Sequence, residues 1–270
     1  MDLSKIKLIA TDMDGTLLNS NHEVSEEFFK LFKQLKALDI LFVAASGRPF
    51  YSMVDKLSEI KDDIIIVSEN GGIGVDKDVL FISNPIKTKN FKGICKLLLS
   101  LDDAHAVFCA KSQAYVLSHS KMLHDLLEEY YPKYSLISNP MDINEPIYKV
   151  ALFHEKSSEH YIYPHVRHLE NQFKVKVSAK HWVDISENIA NKGHAIELIQ
   201  KIYTVSPDET MVFGDYNNDI EMLKLAKFSF AMANAHPDVK AVASYKTKSN
   251  DDNGVEYILE QTIKAKQSII

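Results

Sequence analysis

The sequence predicts an α/β protein: a doubly wound, Rossmann-like parallel sheet core with an inserted α+β cap domain. Three observations predict it. Apolar runs alternate with amphipathic helical stretches up to residue 67, the order that builds a parallel sheet covered by helices. Between about residues 84 and 182 this alternation gives way to a strand-rich stretch, with Pro140 and Pro146 in its loops. From Lys192 the βα alternation resumes and runs to a last helix.

The elements follow in order. A strand is predicted over 6–12, where Ile6 to Ala10 is apolar. A helix from about Ser25 to Leu38 places Phe28, Leu31, Phe32, Leu35 and Leu38 on one face, with Glu26 and Glu27 in the first turn, where they favour the helix dipole. A strand at 40–45 precedes a helix with Phe50, Met53, Val54, Leu57 and Ile60 on one side. Ile64-Ile65-Ile66-Val67 is continuously apolar, which suits a strand buried on both faces. Asn70-Gly71-Gly72 marks a turn, and 73–75 with 79–82 forms a hairpin around Asp76-Lys77-Asp78. The inserted unit holds a helix through Phe91 and Leu101, strands near 105–109 and 114–118, a helix near 121–130, a strand at 147–153, a helix near 157–170 and a strand at 173–179. The core then continues with helix 193–203, strand 210–213, helix 217–226, strand 228–232, helix 237–243 and helix 254–266. The expected domains are a catalytic core, 1–83 and 183–270, and a cap, 84–182.

At 270 residues, 46 % hydrophobic and 25 % charged, the chain suits one large and one inserted domain with an ordinary core. Cys95 and Cys109 lie in apolar surroundings and are expected as reduced, packed thiols. The N-terminal apolar stretch is too short for a signal peptide, and no run approaches the ~20 apolar residues that span a bilayer. A cytoplasmic protein is expected, with no membrane partner. The net charge of −6 argues against a nucleic-acid partner. Oligomeric state is not legible.

The chemistry concentrates at strand ends. Asp12-Met13-Asp14-Gly15-Thr16 closes the first strand. Two carboxylates this close repel each other when buried bare. A hard divalent cation such as Mg²⁺, which prefers oxygen ligands, resolves the repulsion; an acidic turn stopped by glycine is the plain alternative. Ser46-Gly47-Arg48 follows the second strand, Asn191-Lys192-Gly193 opens a helix, and Gly214-Asp215-Tyr216-Asn217-Asn218-Asp219 follows a later strand. In an open parallel sheet one edge collects all four. Each has a bland reading: a Ser-Gly turn, a solvated helix start, an N-cap.

These motifs, in this order, resemble the haloacid dehalogenase superfamily of phosphohydrolases, with D-x-D-G-T, a Ser or Thr, a Lys and G-D-x-x-N-D. The long insert resembles the type IIB cap, and the whole chain a Cof-type hydrolase. Ser68-Glu69-Asn70-Gly71, Ala231-Met232-Ala233-Asn234-Ala235 and Asn253-Gly254-Val255 agree, whereas Glu187-Asn188 stands where the family has Pro and Gly. The resemblance implies Asp12 as the nucleophile and Asp14 as general acid and base. It also implies phosphate contacts from Met13, Ser46, Gly47, Lys192 and Asn218, with Arg48 reaching the substrate or the cap. The implied Mg²⁺ ligands are Asp12, Asp14 through its main-chain carbonyl, Asp215 and, directly or one layer out, Asp219.

Three further features are read conservatively. Asn70-Gly71 is a positive-φ turn rather than a substrate contact. His160, His165 and His168 do not share one helix face and read as solvated. His181 and Trp182 read as packing, with an aromatic lid as the alternative. The function expected is a Mg²⁺-dependent phosphomonoesterase acting on a small phosphorylated metabolite, a sugar phosphate by resemblance. A phosphotransferase such as a phosphohexomutase is the near rival, and a phospho-accepting signalling module the distant one.

Overall fold

The computed structural model describes residues 2–101 and 103–268. In chain order its elements are β1 (Leu8–Thr11), α1 (Glu26–Ala37), β2 (Leu41–Ala45), α2 (Phe50–Lys56), β3 (Ile65–Ser68), β4 (Ile73–Asp76) and β5 (Val79–Ser83). Then follow α3 (Thr88–Leu98), β6 (His105–Ala110), β7 (Ala114–Leu117), α4 (Lys121–Tyr130), β8 (Tyr134–Leu136), β9 (Ile147–Phe153), α5 (Ser158–Tyr161), α6 (Tyr163–Val166), β10 (Phe173–Ala179) and β11 (Trp182–Glu187). The chain closes with α7 (Lys192–Ile202), β12 (Thr210–Gly214), α8 (Ile220–Leu223), β13 (Phe228–Ala231), α9 (Pro237–Val242), β14 (Tyr245–Lys246) and α10 (Gly254–Gln267).

Two compact units emerge: Met1–Gly47, Val54–Ile82 and Asn191–Ile270 form one, Arg48–Met53 and Ser83–Ala190 the other. The first holds an eight-stranded sheet in the order β14-β13-β12-β1-β2-β3-β4-β5. Its pairs from β14 to β3 are parallel, and β4 runs antiparallel to β3. This is the doubly wound core expected. β1, β3 and β13 are buried along their whole length, as strands covered on both faces must be. Helix α1 buries Phe28, Leu31, Phe32 and Leu35 of the predicted stripe, while Leu38 caps its end half-buried; Phe28 and Phe42 ring centroids are 5.2 Å apart. Each such side chain contributes roughly 1.5–3 kcal/mol by leaving water. Ser25 caps α1 by accepting from the Phe28 N–H at 3.0 Å and donates its hydroxyl to Glu256 of α10 at 2.6 Å.

The second unit is a six-stranded sheet, β10-β11-β9-β6-β7-β8. Its alternating side chains build two cores. One face packs Phe108, Val150, Leu152, Val183 and Ile185 with Phe91 and Ile94 of α3. The other packs Val107, Cys109, Val116 and Phe153 with Leu123 and Leu127 of α4, and Trp182 leans on it. The Trp182 ring lies 5.0 Å from Phe153 and 6.3 Å from Tyr131, so packing is the role the structure gives it. Cys95 and Cys109 are buried thiols outside any disulfide, one in each core, and burial pushes the Cys95 thiol up to about 11.

Three expectations are corrected. The helix near 157–170 is broken into α5, α6 and a 3-10 turn, Arg167–Asn171. Pro164 is the reason: it has no N–H to give to the preceding turn, and its ring clashes with that turn's carbonyl. The helix at 217–226 is a 3-10 turn, Asn217–Asp219, followed by the short α8. Strands β8, β11 and β14 were not expected. In β11 the alternation is visible in Val183 and Ile185 against Asp184 and Ser186, but the strand straddles the boundary expected at 182/183 and belongs to the second unit, which runs to Ala190. Among the described residues no helix is long and apolar enough to cross a membrane.

Candidate active site

Strands β1, β2 and β12 are parallel neighbours, so their C-terminal ends share one edge of the sheet. Asp12 leaves β1 there, its N–H donating to the Phe213 carbonyl of β12 at 3.1 Å. Gly15 takes φ +76, and a Cβ at that position would run into the Asp215 carboxylate. The glycine of D-x-D-G-T therefore lets the loops after β1 and β12 touch. Gly71 does the same on the other side: at φ +93 its Cα lies against the Asn191 carbonyl, where no Cβ fits. Asn191 caps α7 by accepting from the His194 N–H at 2.7 Å, so Lys192 begins the helix in a fixed place.

Lys192 is fully buried. Its Nζ lies 2.5 Å from Asp12 Oδ1 and 2.7 Å from Asp219 Oδ1. The second Asp219 oxygen accepts from the Asp215 and Tyr216 N–H groups at 3.0 and 3.1 Å. Thr16 Oγ1 donates to Asp215 Oδ1 at 3.3 Å. Carboxylate oxygens of Asp12, Asp215 and Asp219 come within 4.8 Å of one another, the one such cluster among the described residues. Burial pushes the Asp12 carboxyl well above the usual range. Lys192 pulls it back, and Asp219 and Asp215 push it further up. Burial and the Asp219 charge raise Asp215 to about 6. Burial alone would lower Lys192, but Asp12 and Asp219 outweigh it and keep the ammonium charged. Three carboxylates thus face one ammonium, a formal excess of two negative charges when all are ionised, and burial works against holding that charge without a cation. The donors are hard oxygens around one point, which fits a divalent cation such as Mg²⁺.

The other predicted residues fall as follows. Asp14 lies outside this cluster. It is half-exposed, and its Oδ1 sits 3.4 Å from His22 Nδ1. Met13 is fully buried, so only its main chain can face a ligand. Ser46 is buried, its N–H on the Val67 carbonyl and its own carbonyl accepting from the Asn70 N–H, both at 2.9 Å. A Cβ on Gly47 would stand 3.0 Å from the Asn70 amide, and Asn218 Nδ2 donates to Asn70 Oδ1 at 3.0 Å. Arg48 is buried within the second unit, where its guanidinium stands 5.5 Å from the Tyr130 ring centroid and bonds Ser52 Oγ at 3.4 Å. Asn70 has φ +54, the predicted turn, yet its side chain also joins Gly47 to Asn218. Reading it as a turn alone missed this. His22 and Asn250 were missed as well, since neither lies in a chemical motif; Asn250 Nδ2 donates to the Leu18 carbonyl at 2.9 Å. Asn234, whose A-M-A-N-A context was noticed, donates to the Gly15 carbonyl at 2.8 Å.

A sequence profile of the haloacid dehalogenase-like hydrolases matches residues 9–259. The chain belongs to that family. It is a phosphatase of the Cof type within it, a phosphoric monoester hydrolase. Among similar proteins, the 5-amino-6-(5-phospho-D-ribitylamino)uracil phosphatase YbjI of Escherichia coli (strain K12) is 30 % identical over 262 residues, covering 96 % of this chain and 97 % of that one. The phosphatase YwtE of Bacillus subtilis (strain 168), named for the same substrate, is 27 % identical over 284 residues, covering 96 % and 98 %. The crystal structure of SMU.1108c from Streptococcus mutans UA159 superposes with a TM-score of 0.87 at 30 % identity, covering 96 % of this chain and 99 % of that one. A haloacid dehalogenase-like hydrolase from B. subtilis superposes with a TM-score of 0.82 at 25 % identity, covering 94 % of this chain and 99 % of that one.

Proposed function

We propose that the chain is a Mg²⁺-dependent phosphomonoesterase that works through an aspartyl-phosphate intermediate. The observation that carries this reading is the charge arrangement around Asp12, a buried carboxylate set with two more carboxylates against the single ammonium of Lys192. Asp12 attacks phosphorus, and the bond from phosphorus to the leaving oxygen breaks as Asp14 passes its proton to that oxygen. Water then attacks the phosphorus of the acyl phosphate. Asp14 takes a proton from this water, the bond to Asp12 breaks, and inorganic phosphate leaves. Lys192, held by Asp219, is a fixed positive charge for the phosphoryl oxygens. Main-chain N–H groups of Met13 and Gly47, the Ser46 hydroxyl and the Asn218 amide complete the cradle.

Asp12, Asp215 and the Asp14 carbonyl would hold Mg²⁺, which supplies positive charge to the transferring group. Asp219 has committed one oxygen to Lys192 and the other to two N–H groups. We therefore assign it to holding the site rather than to ligating the metal. The substrate proposed is a small phosphomonoester of a sugar or sugar alcohol, and the phosphorylated ribityl chain named for YbjI and YwtE is the first candidate. Selectivity for the leaving portion is assigned to the second unit, read as the cap, and the working place to the cytoplasm.

The test is phosphate release from a panel of phosphorylated sugars, sugar alcohols, nucleotides and 5-amino-6-(5-phospho-D-ribitylamino)uracil, with Mg²⁺ and with excess EDTA. Turnover of a sugar or sugar-alcohol phosphate with Mg²⁺, without an added acceptor and lost with EDTA, is expected. Full activity in EDTA overturns the metal assignment. Phosphate appearing only on a second sugar's hydroxyl overturns the hydrolase in favour of the transferase.

A further inference from the structure

The segment after the nucleophile loop presents one side chain that no motif explains. His22 adopts φ +59, a left-handed conformation uncommon for a residue with a Cβ. Such conformations cost free energy and persist where surrounding bonds fix them, often at functional sites. Here the bonds are plain. The His22 N–H donates to the Asn19 carbonyl at 2.9 Å, and the Asn19 N–H donates to the Glu23 carbonyl at 3.0 Å. Asn19 Oδ1 accepts from the Asn21 and Glu23 N–H groups at 2.9 and 3.0 Å. Lys56 Nζ, from the end of α2, donates to the His22 carbonyl at 2.8 Å. On the other flank Asp251 takes both the N–H and the hydroxyl of Ser20, at 2.7 and 2.6 Å. The imidazole held this way stands with Nδ1 3.4 Å from Asp14 Oδ1.

Asp14 differs from the other carboxylates of the site. Asp12 and Asp219 are locked by the buried ammonium, whereas Asp14 and His22 are both about two-fifths exposed. A carboxyl that must hand a proton to a leaving oxygen needs one oxygen within about 2.6–3.2 Å of it. Orientation of such a group is a large part of catalytic rate.

We propose that His22 is a positioning residue for Asp14: its Nδ1 holds Asp14 Oδ1 and so turns Oδ2 toward the leaving-group oxygen. The left-handed turn exists to aim the imidazole. This rests on the reading of Asp14 as general acid, and it concerns the first half of the reaction, in which the leaving oxygen receives its proton.

The experiment compares kcat/KM, which reports events up to departure of the leaving group, for two esters. One is the sugar or sugar-alcohol phosphate turned over fastest, whose alkoxide needs a proton. The other is p-nitrophenyl phosphate, whose phenolate leaves without one. His22→Gly keeps the backbone comfortable at positive φ and removes the imidazole. His22→Asn tolerates the same φ and keeps a short amide. For His22→Gly the loss on the alkyl ester is expected to be about 10- to 100-fold, and at least tenfold smaller on p-nitrophenyl phosphate. His22→Asn is expected to recover part of the loss. Equal losses on both esters, or no loss on the alkyl ester, overturn the proposal. Asp14→Asn separates the two readings. If it keeps alkyl-ester turnover, the general-acid assignment itself fails; if it is inactive there while His22→Gly matches wild type, only the role of His22 fails.

Discussion

Replacing Asp215 by Asn should stabilise the metal-free protein while removing its response to metal. The carboxyl is raised from 3.8 to about 6 by burial and by the Asp219 charge. The folded chain therefore binds a proton more tightly at this position than the unfolded chain does. Its contribution to stability is intact below about pH 4, falls as pH rises toward 6, and stays lost above that. Each pKa unit corresponds to 1.36 kcal/mol, so a shift of about two units is at most about 3 kcal/mol. Because the side chain keeps part of its surface in water, about 1–2 kcal/mol is the better figure. Asparagine carries no charge at any of these pH values and can still accept the Thr16 hydroxyl. Urea unfolding in excess EDTA at pH 7.5 should thus show the variant about 1–2 kcal/mol more stable than wild type, with the difference closing near pH 4. Adding Mg²⁺ should raise the wild-type midpoint and leave the variant's nearly unmoved. A variant less stable than wild type at pH 7.5 in EDTA, or one equally stabilised by Mg²⁺, would refute the account of the site as a carboxylate cluster awaiting a cation.

Three other outcomes are expected. Asp12→Asn should lower kcat by at least about 10⁴-fold, the scale of losing a covalent nucleophile, with an unchanged far-ultraviolet circular dichroism spectrum; activity within tenfold of wild type would sink the assignment. Lys192→Met removes the cation between Asp12 and Asp219 and should cost about 3–5 kcal/mol of stability in urea unfolding, as breaking a buried pair does; a loss under 1 kcal/mol would contradict the buried geometry. Exchanging Ser83–Ala190, which carries the whole six-stranded sheet including β11, for the corresponding segment of a relative with another preference should re-rank the substrate panel while p-nitrophenyl phosphate hydrolysis persists, and an unchanged ranking would remove selectivity from that segment.

The core was legible because its strands are unbroken apolar runs and its helices carry clear stripes. The Phe28, Leu31, Phe32 and Leu35 face of α1 is buried as expected. Asp12, Asp215 and Asp219 meet because the parallel strands β1 and β12 deliver their C-terminal ends to one edge, a consequence of topology that alternation alone reveals; Lys192 comes to them from the start of α7. Where legibility failed, local pattern was weak or misleading. The helix expected across 157–170 has a helical pattern, but Pro164 interrupts its backbone bonding. β11 is a fair alternating strand hidden by its place beside a domain boundary. His22 and Asn250 act through a particular backbone conformation or a hydrogen bond to a residue distant in sequence, and spacing carries no trace of either; Asn70 and Asn234 stand in segments the resemblance marked, but their partners Asn218 and Gly15 do not follow from spacing.

The position of Trp182 has a practical consequence. It is the chain's one tryptophan, and it sits in the second unit against Phe153 and Tyr131. Excited selectively, its fluorescence reports on that unit alone, while the parallel sheet of the other unit stays optically silent at the same wavelength. The molecule thus carries a native reporter for asking, without any label, whether its two halves melt together or one before the other. The same signal can show whether a phosphorylated ligand alters the surroundings of the unit assigned to selectivity.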